Sequence, residues 1–147
     1  MPDAYTVALT LLSARELSAS QLRARLARRK IPPDAIETTL ARLTADGTLD
    51  DRRVARAIAR MESGIRHRGR ARVIQKLRQA GIAADIADDA VREVFEDVDE
   101  DALLTRALER RLRGREAMAL DDRARARIIR ALQAQGFSLT RILKALQ

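Results

Sequence analysis

The 147-residue sequence reads as an all-α protein, a tandem array of three three-helix repeats. One spacing occurs three times: Leu22-xxx-Leu26-xxxx-Ile31, Val73-xxx-Leu77-xxxx-Ile82 and Ile128-xxx-Leu132-xxxx-Phe137. Positions four apart share a helix face, and an apolar residue five further on, beyond a stop, anchors the exit of the chain. Gly81 and Gly136 supply the stop in the second and third copies, because glycine enters the left-handed conformation without a Cβ clash. Lys30 departs from this in the first copy, where Pro32 and Pro33 end the helix by another route. Leu26 to Leu77 is 51 positions and Leu77 to Leu132 is 55, room for about three helices each. Only Tyr5, Phe95 and Phe137 are aromatic, so the core is aliphatic and Ala-rich, which favours close helix contacts over a sheet.

The repeats divide the chain at 1–49, 50–97 and 98–147. In the first, Thr6 to Glu16 carries Leu9 and Leu12 on one face and predicts a helix. Ser18-Ala19-Ser20-Gln21 offers a capping box for a second helix running to about Lys30. Pro32-Pro33-Asp34 opens a third, in which Ile36, Leu40 and Leu43 keep the helical period until Asp46-Gly47 stops it. In the second unit Asp50 or Asp51 caps a helix striped by Val54, Ile58 and Met61, which Gly64 to Gly69 breaks. A fifth helix runs from about Arg70 to Ala80, and a sixth carries Ile86, Ala90, Val91, Val94 and Phe95. In the third unit Asp99, Glu100 and Asp101 favour a helix start ahead of Leu103, Leu104, Ala107, Leu108 and Leu112. The segment from Gly114 to Leu120 is longer than its counterparts, which accounts for the wider interval. Asp121 or Asp122 then caps an eighth helix, and Leu139, Ile142, Leu143 and Leu146 mark a short ninth.

Lys and Arg number 29 against 21 Asp and Glu, a formal net charge of +8, so a polyanion is the first partner to consider. The distribution says more than the total. Residues 20–31 hold Arg23, Arg25, Arg28, Arg29 and Lys30, residues 64–82 hold Arg66, Arg68, Arg70, Arg72, Lys76 and Arg78, and residues 123–141 hold Arg123, Arg125, Arg127, Arg130 and Arg141, all without one acid. Residues 83–101 instead carry Asp85, Asp88, Asp89, Glu93, Glu96, Asp97, Asp99, Glu100 and Asp101 beside a single Arg92. Acid-free arginine helices form no internal pairs three or four apart. Either they present a basic surface, or acids of neighbouring helices, such as those of 83–101, answer them.

Several chemistries are excluded or disfavoured. The sequence has no cysteine, hence no disulfide, thiolate nucleophile or Cys-based zinc site, which suits a reducing compartment. His67 is the one histidine; it cannot build a metal cluster alone, and lying among Arg66, Arg68 and Arg70 it is not expected to serve as the base for a serine nucleophile. A surface or phosphate-contacting place is expected for it. No Gly-rich loop ends in Lys-Ser or Lys-Thr, so nucleotide hydrolysis is not expected. Asp50-Asp51 and Asp121-Asp122 read as helix starts rather than acid/base pairs, and the 83–101 acids lack the ligand spacing of a calcium loop. No catalytic, cofactor or metal site is expected. The N-terminus shows neither a basic leader nor a bilayer-length apolar run, and a cytoplasmic protein is expected. With so few aromatics, base stacking on single strands is not the main mode of any nucleic-acid contact. Gln21, Gln75, Gln79 and Gln133 are a weak base-reading set, so phosphate contact is favoured over base reading.

The sequence resembles the bacterial RecX proteins, regulators of the recombinase RecA, over nearly its whole length. The resemblance lies in Ala8-Leu-x-Leu-Leu12, Leu22-xxx-Leu26, Asp46-Gly47-x-Leu49-Asp50-Asp51 with Val54-Ala55, Gly69-xxx-Val73-xxx-Leu77-xxx-Gly81-Ile82 and Leu132-xxx-Gly136-Phe137. Arg70 stands where that family often has Pro, Gln21 and Lys76 where it often has Glu, and Ala80 where Lys is common. The resemblance implies an elongated, curved array lying in the groove of the RecA filament on DNA. It also implies a monomeric, non-enzymatic inhibitor of ATP hydrolysis, strand exchange and co-protease activity, in DNA repair and SOS control. The DNA- or filament-facing candidates are then Arg23, Arg25, Arg28, Arg29, Lys30, Arg66, Arg68, Arg70, Arg72, Lys76, Arg123, Arg127 and Arg130, and the partner-facing candidates are Asp88, Asp89, Glu93 and Glu96. The other class of reading is a free-standing helix-turn-helix-like regulator, which would concentrate its charge on one recognition helix, whereas here three helices share it.

Overall fold

The computed structural model describes residues 3–147, which form nine α-helices and, among the described residues, no strand. They are α1 (Ala4–Ala14), α2 (Ala19–Arg28), α3 (Pro33–Ala45), α4 (Asp51–Arg60), α5 (Arg70–Gln79), α6 (Ala84–Glu96), α7 (Glu100–Leu112), α8 (Asp122–Ala134) and α9 (Leu139–Ala145). A π turn, Met61–Ile65, extends α4, and a 3-10 turn, Ala117–Ala119, interrupts the loop before α8. Consecutive triplets pack on one another: α1 with α2 and α3, α4 with α5 and α6, α7 with α8 and α9.

Side-chain caps set most of the starts. The Asp3, Asp50, Asp99, Asp121 and Ser138 side chains each accept from backbone amides of the following first turn. Ser18 and Gln21 close the expected box: the Gln21 amide donates to the Ser18 hydroxyl over 3.1 Å, and the Ser18 amide to Gln21 Oε1 over 3.0 Å. The Asp3 cap starts α1 two residues earlier than the apolar pattern suggests.

The threefold spacing is a C-terminal cap written out in sequence. Ile31, Ile82 and Phe137 donate their amides to the carbonyls of Leu26, Leu77 and Leu132, over 3.3, 3.1 and 3.1 Å. Lys30, Gly81 and Gly136 donate to Ala27, Arg78 and Gln133, over 2.9, 2.9 and 3.0 Å. These paired bonds make a Schellman motif, which requires a left-handed residue and favours apolar residues five apart at its ends. Gly81 (φ +75°) and Gly136 (φ +107°) supply it, and so does Lys30 (φ +62°). The expectation that the first copy stops by another route is therefore corrected: Lys30 takes the glycine's conformation, and Pro32-Pro33 serve to open α3.

Some apolar stripes turn out narrower than their periodicity suggests. Tyr5, Ala8 and Leu12 face inward on α1 while Leu9 is exposed. On α4 the buried line is Val54, Ala55 and Ala59, and Met61 points outward. On α9 Ile142 and Leu146 are buried, whereas Leu139 and Leu143 are exposed. On α1 and α4 small residues, Ala8, Ala55 and Ala59, carry the buried contacts, and the larger side chains beside them are left at the rim.

The core is in two pieces. Ala8, Leu17, Leu22, Leu26, Ile36, Leu40, Leu43 and Leu49 form one within the first triplet. The other runs without a break from Val54 to Leu146 through the second and third triplets.

Candidate nucleic-acid and partner surfaces

The three helices that carry the acid-free arginine segments are joined at their ends. Ser18, the N-cap of α2, donates its hydroxyl to the carbonyl of Ala80, the C-cap of α5, and the Ala19 amide donates to Asp51 Oδ1 over 2.8 Å. Gly69, the N-cap of α5, donates its amide to the carbonyl of Gln135, the C-cap of α8, over 2.9 Å. Each joint sets the positive end of one helix against the negative end of the next. The helices α8, α5 and α2 have 13, 10 and 10 residues, roughly 50 Å of helix in sum at about 1.5 Å per residue.

Glycine is needed at these joints for space as well as for φ. A Cβ at Gly136 would lie 2.7 Å from the Arg72 amide nitrogen and from the Gly69 carbonyl oxygen, and one at Gly81 would overlap the Ser20 side chain. A Cβ at Gly69 would overlap the Gly136 carbonyl. At the end of α2 the left-handed residue is the exposed Lys30, at a backbone strain of about 1–2 kcal/mol.

The predicted cations divide into two groups. Arg23 pairs with Glu37 on α3 at 2.7 Å, Arg70 pairs with Glu100, and Arg66 and Arg68 approach Glu62 at 3.5 and 3.9 Å. For these four the second alternative holds, and acids elsewhere in the molecule answer them. Arg72 turns to Gln75. Arg25, Arg28, Arg29, Lys30, Lys76, Arg123, Arg127 and Arg130 enter no ion pair among the described residues. Of these, Arg28, Arg29, Lys30, Arg123, Arg127 and Arg130 are exposed, and Arg25 and Lys76 are half-buried.

The acidic candidates divide similarly. Asp89 binds Arg52 of α4 at 3.0 Å and also Arg92, and Glu93 stands 4.0 Å from Arg56. The hydrogen bond from Arg52 holds the Asp89 carboxyl below its ordinary range. In the same way the bond from Arg23 lowers that of Glu37. Asp88 and Glu96 are exposed and enter no ion pair among the described residues. The 83–101 acids therefore answer α4 in part, rather than standing wholly open.

The π turn brings an unexpected charged cluster to the joint of α5 with α8. Glu62 is 2% exposed, and among the described residues its Oε2 has no hydrogen-bond partner; nor do the buried His67 Nδ1, Arg68 Nε and Arg72 Nε. The Arg66 amide bonds the Met61 carbonyl five residues back, and Gln135 Nε2 donates to the His67 carbonyl over 3.0 Å. His67, left-handed at φ +54° and half-buried, is a joint residue rather than a surface one.

Sequence reasoning also missed arginines at the end of α7. Arg110, Arg111, Arg113 and Arg115 gather with Arg127 around one hollow. Glu109 and Glu116 bracket that run, so a search for acid-free windows passes it over. Among the described residues no helix is long and apolar enough to cross a membrane.

Residues 4–43 match the family model described as RecX, first three-helix domain, and residues 50–91 that described as RecX, second three-helix domain. The chain is 38% identical over 143 residues to the regulatory protein RecX of Thermus thermophilus, covering 97% of this chain and 89% of that protein. It is 36% identical over 138 residues to that of Syntrophotalea carbinolica, covering 92% and 89%. The crystal structure of RecX from Lactobacillus salivarius superposes with a TM-score of 0.84 at 22% identity, over 98% of this chain and 92% of that one. The chain belongs to the RecX family.

Proposed function

We propose that this RecX-family regulatory protein restrains the RecA recombinase without catalysing a reaction. As a monomer it lies along the groove of the RecA filament on DNA, and ATP hydrolysis, strand exchange and co-protease activity fall, in DNA repair and SOS control. The observation that carries this reading is the end-to-end joining of α8, α5 and α2. It sets unpaired cations such as Arg28, Lys76 and Arg127 along one sequence of helices, suited to following a polymer rather than enclosing a substrate. Contact through phosphates gives affinity without base reading and falls with salt. Asp88 and Glu96 remain for a protein partner. Shared among three joined helices, the charge does not suit a single recognition helix entering a major groove.

The deciding measurement is DNA-dependent ATP hydrolysis by the cognate recombinase as this protein is added. Hydrolysis is expected to fall; unchanged hydrolysis with an intact filament at saturating protein would overturn the reading. Reversing charge at Asp88 and Glu96 together is expected to weaken inhibition, and wild-type inhibition by that variant removes those two from the partner face.

A further inference from the structure

Between α7 and α8 lies a hollow of about 650 Å³ whose apolar floor is Ala107, Ala124, Ile128 and Ala131, with Gln135 also lining it. Its rim is Arg110, Arg111, Arg113, Arg115 and Arg127. No carboxylate lines it, and none of the five guanidiniums enters an ion pair among the described residues. Five like charges around one hollow repel one another, an arrangement that an anionic occupant relieves.

The rim is held in place. Arg113 (φ +52°) and Gly114 (φ +82°) are left-handed in succession, and the turn carries Arg113 and Arg115 to the hollow that Arg110 and Arg111 already face. Arg115 Nε donates to the Leu112 carbonyl over 2.9 Å, and its Nη2 to that of Arg111 over 3.2 Å. These are terminal carbonyls of α7, the negative end of the helix, which would otherwise repel an anion. Arg115 thus covers the unfavourable pole, while the side chains of Arg110, Arg113 and Arg127 hold no partner among the described residues.

We propose that this cleft is an oligophosphate site, taking successive phosphates of a nucleic-acid strand or the polyphosphate of a nucleotide. The planar guanidinium matches phosphate oxygens two at a time. The floor discriminates against the other polyanion, an acidic peptide. A peptide laid there would bury most of its backbone amides and carbonyls against alanine and isoleucine side chains, with Gln135 the one uncharged lining residue that offers a hydrogen bond. A sugar's carbon face suits that floor. For the strand, the proposal rests on the filament reading above and deepens it by assigning a grip to the third unit.

The test uses the full chain with no recombinase present: fluorescence anisotropy of a labelled oligo(dT) across a salt series. The variant is Arg110→Gln with Arg113→Gln and Arg127→Gln, which keeps side-chain bulk and breaks no internal bond, its folding checked by thermal melting. Affinity is expected to fall at least tenfold, and the log–log salt slope by roughly 2 for three lost contacts on a single strand. Competition with ATP distinguishes the sources: displacement at comparable phosphate concentration assigns the site to phosphate runs in general, and resistance to ATP assigns it to the strand. An unchanged affinity and slope in the variant overturns the proposal, and so does equal displacement by polyglutamate. Normal oligophosphate binding by a chain that fails to inhibit the recombinase would strike the filament reading alone; inhibition with no loss of binding in the variant would strike the cleft alone.

Discussion

At the joint between α2 and α5 the contact is made through a side chain, the Ser18 hydroxyl on the Ala80 carbonyl, and the cores on its two sides are separate. At the joint between α5 and α8 the backbone amide of Gly69 itself reaches the Gln135 carbonyl, and one core runs through. The same end-to-end plan gives two different couplings because of what stands between the backbones. Gly69 and Gly136 leave nothing there, so α5 and α8 meet at backbone distance and the apolar residues behind them merge. Ser18 and Ser20 act as a spacer, so the first unit is attached by polar contacts such as the Ala19 amide on Asp51 and the Arg53–Glu16 ion pair.

The sharpest way to break that contrast is an alanine at each glycine stop. Gly136→Ala meets the Arg72 amide and the Gly69 carbonyl, neither of which can move away without separating the helices. A loss of about 3 kcal/mol is expected from the left-handed strain and the overlap together. Gly81→Ala meets only the Ser20 side chain, and about 2 kcal/mol is expected. Adding Ser20→Gly should recover part of the second loss, whereas no single side-chain truncation recovers the first. Denaturant unfolding of the three variants measures this, and equal, unrescued losses would mean the joints are coupled alike.

Glu62 sharpens the comparison from the other side, because the second joint carries a buried carboxylate with Arg66 and Arg68 beside it. Glu62→Gln keeps the volume and removes the charge. Both arginines keep some exposure to water, so a loss of about 1–3 kcal/mol is expected rather than the full penalty of a broken buried pair. Amide exchange should quicken in α5 and α8 and stay unchanged in α1 and α3. Lys30→Gly, at the exposed end of α2, is the opposite case. Relief of the left-handed lysine is expected to raise stability by up to about 1 kcal/mol, offset in part by the freer unfolded chain of glycine. A destabilised variant would show that the lysine side chain holds the turn.

Much of this architecture was legible in order along the chain, because caps and stops are local: Ser18 with Gln21, Asp99 ahead of α7, and the threefold Leu-xxxx-apolar spacing all act within a few residues. What was not legible depends on neighbours distant in sequence. Lys30 could be read as a departure but not as a tolerated one, since its exposure and its left-handed φ appear only in the folded chain. Likewise Arg70 appears unopposed within its own helix, although Glu100 answers it from 30 residues away. The π turn leaves no periodic signal strong enough to foresee a buried Glu62. The arginines of the α7–α8 hollow were hidden by two acids that flank them in sequence and do not line the cleft.

The smallest expected effect concerns acid. Asp3 is held below its ordinary range chiefly by the Thr6 amide, Glu37 by the hydrogen bond from Arg23, and Asp46 by hydrogen bonds from Thr48. All three lie in the first triplet, and Asp89, lowered by Arg52, lies in the second. A carboxyl whose folded value is depressed contributes stability that is present above its unfolded value, about 3.9 for Asp and 4.3 for Glu, and is lost as pH falls through the folded value. Each group is exposed, so each contribution is small and screened by salt. Their placement makes the sum lopsided: as pH falls from about 5 toward 3, exchange protection should decline in α1 to α3 before it declines in α7 to α9. A uniform decline would show that the first unit, despite its separate core, unfolds only with the other two.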